Sequence, residues 1–256
     1  MMKKTNREEH AMKELKAVVL AAGKGTRMMT ETNTMPKVLR QACGKPLLHY
    51  VLTALDFVPK ENTVLIVGYR KEEVTAAFPD YPAAVQEPQL GTGHAVRCAI
   101  DHLKDFDGTV IVTCGDMPLI RGEVFRGLLA HHEETGSVCT LLSGTTEENL
   151  PYGRVMTDEN GDFLCIVEDR DCTPEQKLIR NLNAGVYAFD SRELLACLDL
   201  LRNENAQKEY YLTDVPYLMK QRGGRVSVWT TELNEQILGV NTPEQLSVVE
   251  HYLQQR

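Results

Sequence analysis

No apolar run in the 256 residues approaches the roughly 18 that a membrane-crossing helix needs, so no span is predicted. The first stretch, Met1 to Lys16, is polar and charged without an apolar centre, and it does not read as a secretory leader. Paired cysteine motifs are missing as well. The seven cysteines (Cys43, Cys98, Cys114, Cys139, Cys165, Cys172 and Cys197) are odd in number and never spaced as CxxC. Neither a disulfide framework nor a thiolate zinc site follows, and all seven are expected to be packing residues. Aromatics are scarce, at 6% with one tryptophan, and 28 Lys plus Arg are outnumbered by 36 Asp plus Glu. A chain of formal charge −8 lacks the basic surface that nucleic acid or an anionic membrane would require. The composition reads as a reduced, cytoplasmic globular protein.

What is present is alternation. Ala17-Val18-Val19-Leu20 is a short apolar run stopped by Gly23 and Gly25, the pattern of a buried strand entering a glycine turn. Runs of strand length recur at 63–67 and 109–113, with helical patterns at 46–57, 71–78, 93–103 and 123–134. Strands alternating with helices predict an α/β fold: a Rossmann-like, mostly parallel sheet flanked by helices. Past residue 137 short strands follow at 138–142, 153–157, 163–168 and 185–189, with Asn160-Gly161 as a hairpin turn. They predict a smaller mixed-sheet lobe in the second half. Helices resume at 191–201 and 213–222, then a strand at 225–229 and a last helix at 242–255, with Thr242 as N-cap and Pro243 at its first position. Residues 1–15 are expected to be a polar extension and 16–256 one domain.

The turn after the first strand carries the chemistry. Leu20-Ala21-Ala22-Gly23-Lys24-Gly25-Thr26-Arg27-Met28 can present backbone N–H groups to an anion or a base edge. It is not a P-loop, because GxxxxGK[ST] is absent. It is not the dinucleotide fingerprint either, because the third glycine would fall on Met28. Lys24, Arg27 and, after Pro36, Lys37 put three cations in a short span of an acidic chain. A triphosphate would suit them; so would a glycine-rich turn with solvated basic side chains.

Further motifs narrow the choice. The glycine loop followed by Pro36-Lys37-Val38-Leu39 resembles the opening of the sugar-1-phosphate nucleotidylyltransferases. The segment from Gln86 through Leu90-Gly91-Thr92-Gly93-His94 to Ala95, and Gly115-Asp116-Met117-Pro118-Leu119, resemble the bacterial N-acetylglucosamine-1-phosphate uridylyltransferase branch. So do Tyr152-Gly153-Arg154, Glu168, Asn183-Ala184-Gly185, Glu209 through Asp214 and Gly239-Val240-Asn241, in that order.

The resemblance implies a nucleotidylyltransferase domain over 16–256 whose mixed lobe binds the sugar. The implied reaction is Mg²⁺-dependent transfer of UMP from UTP to N-acetylglucosamine-1-phosphate. It assigns Arg27, Lys37 and Lys24 to the phosphates. Leu20, Ala21, Ala22, Gly23, Gln86, Gly91 and Thr92 fall to the nucleotide, and Gly153, Glu168 and Asn183 to the sugar. Asp116 and Asn241 are its metal ligands. Another hexose-1-phosphate is the alternative within the class, and a non-catalytic sugar-nucleotide sensor the alternative outside it. Standing alone, Glu168 reads as solvated and Asn183 as a turn residue. His94 reads as shaping its loop, and His131-His132 as surface.

Three places depart from the family pattern: a longer stretch at 29–35, Cys114 before Gly-Asp, and Leu150-Pro151 before Tyr152. No hexapeptide repeats follow the last helix, so a stand-alone uridylyltransferase without acetyltransferase activity is the expectation. Nothing in the sequence sets an oligomeric state.

Overall fold

The computed structural model describes residues 14–29, 34–145 and 150–256. Most of the predicted N-terminal extension and the centre of the 29–35 stretch lie outside these. In chain order the strands and helices are β1 (Leu15–Leu20), β2 (Gln41–Ala42), β3 (Lys45–Pro46), α1 (Leu47–Ala54), β4 (Thr63–Val67), α2 (Lys71–Ala77), β5 (Ala83–Val85), α3 (Thr92–Arg97), α4 (Ile100–Leu103), β6 (Thr109–Cys114), α5 (Gly122–Thr135) and β7 (Cys139–Thr145). There follow β8 (Arg154–Thr157), β9 (Phe163–Val167), β10 (Asn181–Asp190), α6 (Ser191–Leu198), α7 (Val215–Gln221), β11 (Val226–Glu232) and α8 (Pro243–Gln254).

One sheet runs β11-β7-β10-β6-β1-β4-β5, with the β8–β9 hairpin attached through β10. Strands β6, β1, β4 and β5 are mutually parallel, while β10 is antiparallel to both β6 and β7. This is the predicted α/β fold, with the mixed lobe built onto β10 as an extension of the same sheet. Side chains alternate across the central strands. Ala17, Val19, Leu65 and Ile111 enter the core on one face; Val18, Ile66, Val110 and Val112 enter it on the other. Both faces being buried explains why these strands read as continuous apolar runs.

From β1 the chain moves outward to β4 and β5, then crosses back to β6 on the other side of β1. That reversal opens a crevice at the carboxyl ends of β1 and β6, where open α/β sheets take their ligands. Leu20 pairs with Cys114 at this edge. A third, smaller core of Met28, Ala42, Leu47, Leu119, Val240 and Val249 lies beside it. It ties the glycine loop, the 116–119 turn and α8 together.

Several expectations need correction. The helix predicted at 93–103 is broken into α3 and α4 around Cys98 and Ala99. Strand β10 starts at Asn181, four residues early, and carries a register shift between Asn183 and Tyr187. Asn183 is thus a strand residue at a bulge. His132 is buried on α5, its Nδ1 2.9 Å from Thr140 Oγ1. Cys43 is exposed, so it is no packing residue.

Candidate functional site

A cavity of about 210 Å³ opens at the crevice. It is lined by Leu20, Thr92, Asp116, Gly153, Glu168, Asn183 and Asn241 among the residues assigned from sequence, and also by Cys114, Tyr152, Tyr187 and Thr213. Residues from eight separate stretches of chain therefore converge on one space.

At its mouth stands a charged cluster. Lys37 Nζ donates to Asp116 Oδ2 in a short ion pair and to Asn241 Oδ1 at 2.9 Å. Their local structure puts them there. Asp116 follows β6 by two residues. Lys37 opens a 3₁₀ turn after Pro36. Asn241 immediately precedes α8, where Thr242 Oγ1 caps Gln245 N and Gln245 Oε1 accepts the Asn241 N–H at 2.7 Å. Gly25 makes the approach of Lys37 feasible: at φ +66 a Cβ there would lie 2.6 Å from Lys37 Cβ.

Two hard oxygens, from Asp116 and Asn241, thus already share one cation, the lysine ammonium. That donor set fits a hard divalent cation of the kind that takes few protein ligands and completes its shell with other oxygens. Among the described residues no group of three or more His, Cys, Asp or Glu converges into a denser metal cage.

Glu168 lies across the cavity and accepts from Thr213 Oγ1 at 2.9 Å. Burial raises its carboxyl above the ordinary range, the Thr213 hydrogen bond opposes that, and the nearby carboxylates of Asp214, Asp171 and Asp169 add to the rise. Asn183 Nδ2 donates to Tyr187 Oη at 2.7 Å, and its backbone N–H donates to Gly153 O at 2.8 Å. Burial pushes the Cys114 thiol up to about 12, so it remains an unreactive wall.

The residues that the resemblance assigns to the nucleotide form a brace beside the cavity. Gln86 is buried, its Nε2 donating to Gly91 O at 2.8 Å and lying 3.3 Å from His94 Nδ1. His94 does shape its loop, as expected. Leu90 O, Thr92 Oγ1 and Gly93 N are hydrogen-bonded to Tyr210 N, Leu212 N and Tyr210 O respectively. Gly91 sits at φ +109 with room for no Cβ, since one would come within 2.6 Å of Tyr210 O. The segments 86–94 and 209–212, far apart in sequence, are one structural unit.

Other predicted residues do not reach the cavity wall. Ala21 and Ala22 are buried, with Ala21 N bonded to Ile66 O and Ala22 O accepting from Tyr69 N. Gly23 and Lys24 are exposed, Lys24 Nζ lying 5.8 Å from the Tyr69 ring centroid. Arg27 is exposed in the 3₁₀ turn Thr26–Met28, with no ion pair among the described residues.

Two residues of the Tyr152-Gly153-Arg154 motif had received no role. Arg154 is fully buried next to Gly153 of the cavity wall, donating to Tyr152 O and pairing with Asp169 at 3.5 Å. Tyr152 reaches across to the Asn241 segment. An arginine placed inside a β-strand was the one available signal for Arg154. The Tyr152 contact spans more than 80 residues and leaves no local pattern.

The fold and this cavity define an open α/β protein with a ligand crevice at the strand switch point. A model of the MobA-like NTP transferase domain matches residues 17–204, and the chain belongs to that family. It is 41% identical over 244 residues to the bifunctional protein GlmU of Alkaliphilus metalliredigens, covering 95% of this chain and 53% of that protein. With the GlmU of Clostridium novyi the identity is 42% over 242 residues, covering 94% and 52%. The chain therefore spans about half the length of the curated relatives it matches. In fold it is similar to a Bacillus anthracis protein provisionally described as a glucose-1-phosphate thymidylyltransferase, crystallised with sucrose. The TM-score is 0.72 at 17% identity, covering 93% and 94% of the two chains.

Proposed function

We propose that this domain transfers UMP from UTP to N-acetylglucosamine-1-phosphate, forming UDP-N-acetylglucosamine and pyrophosphate in the cytoplasm. The observation that carries the reading is the Lys37–Asp116–Asn241 cluster at the mouth of a cavity whose opposite wall holds Glu168 and Asn183. It is supported by the similarity to GlmU proteins over nearly the whole chain.

The attacking group is a phosphate oxygen, already an anion, so no general base is needed. Positioning and charge neutralisation carry the reaction. Asp116 and Asn241 would hold Mg²⁺, which when bound supplies further neutralisation at the triphosphate. Lys37 supplies its ammonium to the phosphates, and Arg27 and Lys24, exposed on the glycine loop, supply charge to the leaving pyrophosphate. The braced loop at Gln86, Gly91 and Thr92, continued by Leu20 to Gly23, offers amide and backbone groups to uracil and ribose. Gly153, Glu168 and Asn183 receive the sugar, Glu168 as acceptor for a hydroxyl.

Pyrophosphate release, measured for a panel of nucleoside triphosphates against a panel of sugar-1-phosphates, tests the reading. The highest kcat/KM is expected with UTP and N-acetylglucosamine-1-phosphate. Faster turnover of another hexose-1-phosphate would overturn the sugar assignment, and no release with any pair would overturn the activity. Among the described residues no helix is long and apolar enough to cross a membrane.

A further inference from the structure

Tyr152 lines the cavity between its two halves. Its chain neighbour Gly153 belongs to the sugar-side wall, but its hydroxyl turns the other way. Tyr152 Oη accepts the Gly239 N–H at 2.9 Å and donates to Ile237 O at 3.1 Å. One hydroxyl thereby fixes both ends of a three-residue turn that ends two residues before Asn241. The turn has a second tie, Val240 N to Asp116 O at 2.9 Å. Gly239 lies where the three groups meet: a Cβ built on it would be 3.4 Å from Tyr152 Oη, 3.9 Å from Asn241 Nδ2 and 3.9 Å from Asp116 Cγ.

We propose that Tyr152 is a positioning residue, whose hydroxyl holds segment 237–241 so that the Asn241 oxygen stays opposite Asp116 where the two share one cation. This rests on the metal reading above. A ligand oxygen held by a turn rather than a helix or strand has little rigidity of its own. Outer partners that orient such ligands typically govern metal affinity. The bonds of the Tyr152 hydroxyl run to Ile237 and Gly239, whereas Glu168 bonds to Thr213 and Asn183 to Tyr187 and Gly153, so its effect is expected on the metal rather than on the sugar phosphate.

Manganese(II) is the probe, followed by loss of its free-ion EPR signal on titration with wild-type protein, Tyr152→Phe and Tyr50→Phe. Tyr50 packs against the same small core as Val240, but its hydroxyl donates to Ala42 O on β2 at 2.7 Å rather than to segment 237–241, so it serves as the control for loss of a tyrosine hydroxyl. Tyr152→Phe is expected to bind Mn²⁺ roughly 10-fold more weakly, the low end of the range for outer partners. Tyr50→Phe should match wild type. In turnover assays the Mg²⁺ activation curve of Tyr152→Phe should shift to higher concentration and recover near the wild-type plateau, with the sugar-phosphate KM unchanged. Equal Mn²⁺ affinity in wild type and Tyr152→Phe, including no saturable binding by either, overturns the proposal. So does a raised sugar-phosphate KM with an unmoved metal curve. The Mn²⁺ titration needs no turnover, so it is independent of whether the proposed substrates are correct.

Discussion

Arg27, exposed on the glycine loop, and Asp116, on the cavity wall, both have proposed roles at the phosphates, yet their surroundings predict different failures. Arg27 is exposed with no ion pair among the described residues, so removing it breaks nothing in the resting fold. In the proposed reaction its value lies in charge that grows as pyrophosphate departs, and such contacts are typically worth about 10²–10³ in rate. Arg27→Ala is therefore expected to lower kcat by about that factor, with unchanged circular dichroism, unchanged product affinity and no recovery in raised Mg²⁺. Asp116→Asn should be at least as damaging, but raised Mg²⁺ should recover part of the loss, because the proposed task of the carboxylate is to hold the metal. Glu168 gives a pH signature. Its carboxyl is raised above 4.5 in the fold, so the folded protein keeps this proton where the unfolded chain has released it. The stability it contributes is full below that ordinary value and lost as pH rises through the raised one. Without ligand, Glu168→Gln should gain Tm relative to wild type from about pH 4.5 upward, with little difference below it, while the KM for sugar phosphate rises.

At the scale of elements, strands β1, β4 and β6 were legible because both faces are buried and the apolar runs end at glycine or polar turns. The turn between β8 and β9 was legible from Asn160-Gly161, with Asp158 Oδ1 accepting from Asn160 N and Asp162 N at 2.9 Å each. Strand β5 was not: three residues are too short for periodicity, and its Val85 is 46% exposed. His132 was misread because it stands among polar residues. It is nevertheless four residues after buried Leu128 and seven after Phe125, on the inward face of α5. The candidate site divides along the same line. The cations stand out by their density, whereas Asp116, Glu168, Asn183 and Asn241 take their roles only from resemblance: alone, Gly115-Asp116 after a strand reads as a turn, and the meaning of all four is tertiary. The start of α8 was readable, and it bears on the site. Thr242→Ala removes the cap on Gln245 N and should cost about 1 kcal/mol in urea unfolding. Since Gln245 also holds the Asn241 N–H, the same variant should need more metal for half-maximal activity.

For the molecule as a whole, the decisive question is whether the cation site holds the fold together or serves only the ligand. A structural metal contributes folding free energy outright, so its removal unfolds the protein. Here the crevice has its own internal cation: Lys37 already bridges Asp116 and Asn241, and the Met28, Leu119 and Val240 cluster packs behind them. Chelation leaves that arrangement with a counter-charge in place. EDTA should therefore leave the Tm of the protein alone essentially unchanged while abolishing turnover, and Mg²⁺ should restore activity without refolding. Ligand binding is a different case. A saturating nucleotide sugar stabilises only the folded state, by about 2.7 kcal/mol at 100 times its Kd. If the phosphates and the ion complete one another's coordination, most of that gain requires both. Thermal melts in four conditions check this: protein alone, with EDTA, with UDP-N-acetylglucosamine and EDTA, and with UDP-N-acetylglucosamine and Mg²⁺. The large upward shift is expected only in the last. A fall in Tm with EDTA alone would instead make the metal part of the fold, and would remove Lys37 from the role of resting counter-ion.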